Sequence, residues 1–272
     1  MKVISFILLF SFLFSTTTNW SETISEQKTK TKVVATTSLI GDIVEKIGKD
    51  RLNITTIVPA GMCPGHFDIK PGEVRDLWDA KVIIIHGWEK WIEKLIRSTK
   101  KKLPIKTIKI EENWMVPDVQ IRAAKEITRV LSGVDPQERE WYEKNLIEYR
   151  EEIQSLSKEI EKVRGDLSNV RVVCASYQEG FLKWLGFDVI STYGRPEELT
   201  SKEIVEIIKE AKKEGVEIVV DNLQSGPDAG LLIAKEIGAD HLVLTNFPTN
   251  GYISSLKENI NKIGQILGWQ KL

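Results

Sequence analysis

The sequence contains little cysteine, little histidine and no excess of charge of either sign. Two cysteines, Cys63 and Cys174, occur in 272 residues, which excludes the dense disulfide framework of small exported domains. The 38 Lys and Arg residues nearly cancel the 39 Asp and Glu residues, so no broad positive field attracts nucleic acid. The chain also lacks a Gly-x-x-x-x-Gly-Lys-Ser/Thr loop and therefore cannot supply an ATP-driven step itself.

The apolar run at the N-terminus is too short to be a typical membrane-spanning helix, which needs about 20 residues. Residues 3–14 form this run after Met1-Lys2 and before small polar residues, which is the pattern of a secretion signal. We expect a signal peptide over 1–20, a flexible leader over 21–32 and an extracytoplasmic protein. An uncleaved membrane anchor is the alternative. No cysteine follows the run, which excludes the lipid-bearing cysteine of a bacterial lipoprotein.

Short β-branched runs alternate with amphipathic stretches along the rest of the chain, and this alternation predicts α/β units with mostly parallel sheets. The predicted strands are 33–37, 54–58, 82–85, 105–110, 170–175, 188–191, 217–220 and 242–245. Pro71 and Pro117 suit the first turn of a helix, where no amide donor is needed. Thr200 and Glu203 have the spacing of a capping box at the start of another helix.

One charged stretch separates the two sets of strands. Residues 137–164 have apolar positions every three to five residues and no Gly or Pro before Gly165, which predicts a helix of about 28 residues, roughly 40 Å long. A dimerising coiled coil is the alternative. We therefore predict an α/β protein with an N-terminal lobe over 33–136, a linking helix over 137–165 and a C-terminal lobe over 166–272. Ligands of such sheets bind beyond the carboxyl ends of the strands, in a cleft between the lobes.

The loop after the second predicted strand contains His66 among three prolines, where a rigid backbone can present an imidazole to a ligand. The surrounding segments resemble the zinc- and manganese-binding solute-binding proteins of metal ABC transporters. The similarity covers essentially the whole mature chain. The matching pieces are Thr36-Thr37-Ser38, Gly41-Asp42, Val58-Pro59-Ala60-Gly61, His66-Phe67-Asp68, Pro71, Gly87, Trp114, Pro117, Asp135-Pro136, Tyr142-Glu143-Lys144-Asn145, Phe181 and Ile233-Ala234-Lys235-Glu236.

The resemblance implies four metal ligands, two from each lobe, and His66 matches the first of them. The second position, usually His, is Glu112 here. The third, usually His or Glu, falls on Gln178 or, with a shift of one residue, on Glu179. The fourth, usually Asp, falls at Thr245-Asn246. Carboxylates at Glu112 and Glu179 suit Zn²⁺ and Mn²⁺, whereas Gln and Asn are weak neutral ligands.

Three further residues are candidate ligands at the predicted cleft. His86 ends the third strand, where the family has Asn, and could replace a missing imidazole. Cys63 lies three residues before His66, and a thiolate there would favour Zn²⁺ or Cu⁺ over Mn²⁺. Asp221 could bind metal, orient a histidine or belong to an Asx turn. We expect His241 and Cys174 to be structural.

The resemblance implies binding without catalysis: a divalent transition metal, zinc or manganese, is captured and delivered to a membrane permease driven by a cytoplasmic ATPase. The protein is expected to act as a monomer and not to bind nucleic acid. The chain lacks the His-rich acidic loop frequent in zinc-specific members, which leaves the choice of metal open. Two alternatives are a binding protein for a metal chelate or oxyanion, and an enzyme with Cys63 as nucleophile and His66 as base.

Overall fold

The computed structural model describes residues 29–98 and 102–272, and in them the eight predicted strands form two four-stranded sheets. The strands are β1 Thr31–Ala35, β2 Leu52–Thr56, β3 Val82–Ile85, β4 Ile105–Thr107, β5 Arg171–Ala175, β6 Asp188–Tyr193, β7 Ile218–Asn222 and β8 Asp240–Leu244. The predicted signal peptide and residues 21–28 of the predicted leader lie outside the described residues. The last two leader residues belong to β1.

Both sheets are entirely parallel and have the same topology. The order is β2-β1-β3-β4 in the N-terminal lobe and β6-β5-β7-β8 in the C-terminal lobe. The α/β prediction with two parallel-sheet lobes is therefore confirmed. Because all strands of one sheet run the same way, the loops after them gather at one edge.

The helices are α1 Ser38–Gly48, α2 Pro71–Asp79, α3 Lys90–Ser98, α4 Pro117–Val134, α5 Arg139–Val163, α6 Glu179–Leu185, α7 Ser201–Glu214, α8 Asp228–Ile237 and α9 Tyr252–Leu267. Three of the helices, α2, α4 and α7, begin at residues that the sequence signals. Pro71 and Pro117 occupy first-turn positions as predicted. At α7, Oγ1 of Thr200 accepts a hydrogen bond from the amide of Glu203 at 3.2 Å, and the Glu203 carboxylate accepts one from the amide of Thr200 at 2.7 Å.

Helix α5 is the predicted link between the lobes. It has 25 residues, about 38 Å of helix, and follows a short 3-10 turn at Pro136–Glu138. Its apolar stripe is buried within the same chain and packs against α1 and α4, so that stripe does not serve as a coiled-coil surface for a second copy. Among the helices of the described ranges, none combines the length and apolar character needed to cross a membrane.

One hydrophobic core runs through both lobes. Val33 and Ala35 of β1 join it from one lobe, and Val172 and Cys174 of β5 join it from the other, together with residues of α1, α4, α5, α6 and α9. The opposite faces of the two sheets are covered by separate apolar clusters, one beneath α2 and α3 and one beneath α7 and α8. The shared core means that opening the cleft widely would expose apolar surface, which opposes large lobe movements.

Candidate functional site

A cavity of about 710 Å³ lies between the lobes at the carboxyl ends of both sets of strands, as expected for this topology. The N-lobe wall is formed by loops after β2, β3 and β4 and includes Cys63, Pro64, Gly65, His86, Trp88, Lys90 and residues 111–114. The C-lobe wall is formed by loops after β5 to β8 and includes Ser176, Tyr177, Arg195, Glu198, Asn222, Gln224, Ser225 and Asn246.

The loop that carries His66 is held against the N-terminal lobe by its neighbour Phe67. The Phe67 ring is buried and meets the ring of Trp91 edge-on, with centroids 5.4 Å apart. His66 ends a short 3-10 turn, Pro64–His66, and its side chain lies outside the described part of the structure. Cys63, directly before this turn, is half-buried and lines the cavity. The backbone therefore brings this loop to the cleft, as the sequence indicates.

His86 is buried at the end of β3 in the N-lobe wall. Its Nε2 lies 2.8 Å from Oγ1 of Thr37, and its ring stacks on Trp88 at a centroid distance of 5.0 Å. Burial lowers the pKa of His86 to about 4 against the opposing effect of Glu89, so the imidazole is neutral at neutral pH. A neutral imidazole is the form that binds metals, but the contact with Thr37 already engages one ring nitrogen.

Glu89 organises this loop and is not apparent as a site residue from the sequence. Its buried carboxylate accepts hydrogen bonds from Oγ1 of Thr36 at 2.6 Å and from the amides of His86 and Gly87 at 2.9 and 2.7 Å. These bonds satisfy a buried charge and fix the loop after β3. Glu89 therefore positions His86 and does not line the cavity.

Glu112 lies on the N-lobe wall but is exposed and paired. Its Oε1 is 2.6 Å from Nη2 of Arg122. The hydrogen bond with Arg122 is the main reason that the pKa of Glu112 lies below its ordinary value. The side chain is thus an ionised carboxylate whose charge is partly neutralised by an arginine of α4.

Gln178 and Glu179 flank the cleft without lining it. Gln178 is fully buried, and its Nε2 donates to Oδ1 of Asn222 at 3.1 Å and to the carbonyl of Leu244 at 3.2 Å. Glu179 is paired with Lys183 one turn along α6, at 2.6 Å. Either residue would have to rearrange before it could bind an ion in the cavity.

Asp221 is buried beneath the C-lobe wall in a polar cluster with Tyr193 and His241. Its carboxylate accepts hydrogen bonds from the Tyr193 hydroxyl at 2.6 Å and lies 2.7 Å from Nε2 of His241. Burial raises the pKa of Asp221, while Tyr193 and His241 oppose the rise. Asp221 is thus engaged with a tyrosine and a histidine, and its role at the metal site stays a prediction. That histidine lies outside the cavity wall.

The two walls are joined by a set of amide hydrogen bonds. Nδ2 of Asn113 donates to the carbonyl of Tyr177 at 2.7 Å and to Oδ1 of Asn246 at 3.1 Å. Nδ2 of Asn246 donates to the same carbonyl at 2.8 Å. Asn246, one of the two residues at which the resemblance implies an acid, therefore forms an amide clasp across the cleft with Asn113 and Tyr177.

Arg195 is the functional candidate that reasoning from the sequence missed. It follows β6, and its Nη2 donates to the Tyr177 hydroxyl at 3.1 Å. The guanidinium also lies close to the other lobe. A Cβ atom added at Gly65 would be 2.7 Å from Nη2 of Arg195. Ligand sites of parallel sheets lie beyond the carboxyl ends of the strands. Applied to the loop after β6, this rule indicates Arg195.

The structure thus places Cys63, His86 and Glu112 on one wall, and it places Gln178, Glu179 and Asp221 away from the cavity lining. Within residues 29–98 and 102–272, and without the His66 side chain, no three His, Cys, Asp or Glu side chains form a group that could hold a metal ion. Donors for a metal are therefore concentrated on the N-lobe wall, while the C-lobe wall offers mainly neutral amides and hydroxyls.

Comparison with known proteins gives a consistent result. The model of a family described as zinc-uptake complex component A, periplasmic, matches residues 33–266. A manganese ABC transporter substrate-binding lipoprotein of Streptococcus mitis is 28% identical over 278 residues, covering 87% of this chain and 89% of its own. An iron ABC transporter substrate-binding lipoprotein of Streptococcus pyogenes serotype M1 is also 28% identical, covering 87% and 88%.

Solved structures share the fold. A crystal structure of ZnuA has a TM-score of 0.73 at 22% identity and covers 87% of this chain and 98% of its own. The manganese-bound periplasmic metal-binding protein of Candidatus Liberibacter asiaticus has a TM-score of 0.73 at 21% identity and covers 88% and 100%. At these identities the likeness supports the fold, with two lobes and the cleft between them.

Proposed function

Because the chain belongs to the family of the periplasmic zinc-uptake component A, we propose that it is the extracytoplasmic solute-binding component of a metal-ion ABC transporter. It captures a divalent transition metal, zinc or manganese, in the cleft between its lobes. It then delivers the ion to a membrane permease driven by a cytoplasmic ATPase. The protein reaches this location through its N-terminal signal and acts as a monomer.

The observation that carries this proposal is the cleft itself. Loops from seven strand ends converge on one cavity, in a chain matched by the family model from residue 33 to residue 266. The related lipoproteins named for manganese and iron support a transition metal as the cargo. The family is one of uptake components, so binding without catalysis is the function, and Cys63 and His66 do not form a catalytic pair.

The ligands proposed for the ion lie on the N-lobe wall. His66 provides an imidazole from the loop after β2, and Glu112 provides a carboxylate from the loop after β4. Cys63 and His86 are the additional donors on the same wall. Gln178, Glu179 and Asp221 remain candidates that would need to leave their present partners first.

Thermal melting of chelator-stripped protein tests the proposal. A metal that binds the native state alone stabilises it by RT ln(1 + [L]/Kd), about 4 kcal/mol at a thousandfold excess over Kd. We expect a clear rise in melting temperature with at least one of Zn²⁺, Mn²⁺, Fe²⁺ and Co²⁺, and little change with Mg²⁺, which prefers all-oxygen sites. The absence of a rise with every transition metal would contradict the proposal.

A further inference from the structure

The C-lobe wall provides few ligands for a metal. The amides of Asn222, Gln224 and Asn246 and the hydroxyl of Ser176 line it, but each of these groups already donates a hydrogen bond within the lobe. Among the described residues of this wall, Glu198 is the acid and Arg195 is the cation. The group of this wall that can attract negatively charged oxygen atoms is therefore the guanidinium of Arg195.

Arg195 is held in place and retains its charge. Its Nη2 donates to the Tyr177 hydroxyl, and its guanidinium lies 5.7 Å from the centre of the Tyr177 ring. Burial works against the charge, but Cys63, Tyr177 and Glu198 together raise the pKa of Arg195 above its ordinary value. The cation is thus a permanent feature of the cleft.

One donor of Arg195 is unused. Its Nε is buried and has no hydrogen-bond partner within the described part of the chain. A buried donor left unpaired is costly, which favours the binding of an acceptor beside it. Because guanidinium N–H groups pair with carboxylate and phosphate oxygens in a planar fork, an oxyanion is the matching chemistry.

A bare divalent cation does not fit both walls. It would bind the donors of the N-lobe wall, such as Cys63 and Glu112, and would then face the positive charge of Arg195 across a partly enclosed cavity. The cavity of about 710 Å³ lies in the range of sites for small organic molecules, far larger than one ion requires. Exposed aromatic surface of Trp88 and Tyr177, each nearly half exposed, adds contact area for such a molecule.

We propose that the metal is bound together with a small oxyanion chelator, whose free oxygens pair with Arg195 while the ion faces the N-lobe wall. This inference rests on the proposed function and specifies its cargo. The chelator's carboxylate or phosphate oxygens complete the coordination of the metal in place of the C-lobe side chains that do not supply it. The charge of the chelator also removes the repulsion between the ion and Arg195.

Native mass spectrometry of the full mature chain tests this inference. Stripped protein is mixed with Zn²⁺ or Mn²⁺ alone, with the preformed citrate complex and with the preformed pyrophosphate complex. Equilibrium dialysis with labelled citrate or pyrophosphate gives the affinities. We expect the protein to carry ion and chelator together, and to bind at least one complex about tenfold or more tightly than the ion alone. Citrate and pyrophosphate distinguish carboxylate from phosphate as the preferred oxyanion.

The variant Arg195→Lys keeps the charge but loses the planar fork, and it should lose about tenfold in affinity for the chelated metal. Arg129→Lys, a change at an exposed arginine of α4, is the matched control and should bind like the parent. The mass of the parent complex decides the question even if Arg195→Lys does not fold.

The outcomes separate the two proposals. If the parent binds neither the ions nor their complexes, the proposed function fails, and this inference fails with it. If the parent binds the ion equally tightly with and without chelator, and its native mass shows the ion alone, only the chelator inference is overturned.

Discussion

The N-terminal and C-terminal lobes share one strand order, β2-β1-β3-β4 and β6-β5-β7-β8, yet their cleft walls carry different chemistry. The N-lobe wall has a thiol, an imidazole and a carboxylate at Cys63, His86 and Glu112. The C-lobe wall has amides, hydroxyls and Arg195. The same backbone arrangement therefore presents candidate metal donors in one lobe and a cation among neutral amides and hydroxyls in the other. Topology places a site here, and only the loop residues determine its chemistry.

Replacement of His66 by alanine tests the N-lobe wall most severely. We expect His66→Ala to lower metal affinity more than 100-fold in calorimetric titration, because loss of a direct ligand exceeds the roughly 10–100-fold effect of residues behind the ligands. Asp68→Ala, an exposed change on the same loop, should bind like the parent. Unchanged metal affinity in His66→Ala would show that His66 is not a metal ligand and would contradict the assignment of the metal to the N-lobe wall.

The buried polar cluster of Asp221, Tyr193 and His241 distinguishes β7 from the aliphatic β3 of the other lobe. A Cβ at Gly230 of α8 would lie 2.2 Å from Oδ2 of Asp221 and 2.3 Å from the Tyr193 hydroxyl. We therefore expect Gly230→Ala to lower the free energy of unfolding by about 2 kcal/mol in chemical denaturation.

The control for this change is Gly133→Ala, since Gly133 also lies in a helix and nothing lies within 4 Å of its added Cβ. This variant should be neutral or up to about 1 kcal/mol more stable, because alanine favours helix. Equal changes in the free energy of unfolding for Gly230→Ala and Gly133→Ala would show that the buried cluster accommodates the added methyl group at little cost.

The change Asn246→Asp gives the C-lobe wall the acid that the resemblance implies at Thr245-Asn246. It removes the donor to the Tyr177 carbonyl, now at 2.8 Å, and places a carboxylate beside that oxygen. We expect a lower melting temperature without metal and about tenfold tighter metal binding, since a carboxylate is a much better ligand than an amide. Asn250→Asp makes the same change in charge at an exposed position. No gain in affinity would indicate that the C-lobe wall contributes no ligand at this position.

The smallest expected effect concerns movement of one wall against the other. The shared core, α5 and the hydrogen bond from the Tyr252 hydroxyl to the carbonyl of Met115 connect the two halves behind the cleft. Solution scattering should therefore give nearly the same radius of gyration with and without metal. A large compaction on binding would contradict the restraint by α5.

Much of the fold follows from local sequence patterns. Alternating β-branched and amphipathic segments identified all eight strands, and the uninterrupted stretch before Gly165 identified α5. The strand ends were predictable within a few residues. The site was harder to predict from the sequence. Topology brings a residue that follows a strand near the cleft, but the partners of its side chain come from distant segments. Gln178 and Asp221 were reasonable candidates by position, yet both are bonded to other parts of the C-terminal lobe.

Local sequence patterns are sufficient to predict the fold class, the linking helix, the resemblance to metal-binding proteins and the loops that border the cleft. These depend on periodicity, helix signals and ordered motifs, which act over short stretches of chain. Contacts between distant segments do not follow from such patterns: the clasp of Asn113, Tyr177 and Asn246, the pairing of Arg122 with Glu112, and the approach of Arg195 to Gly65 from the opposite lobe. Each of these depends on distances between residues far apart in sequence, and packing of the shared core sets those distances.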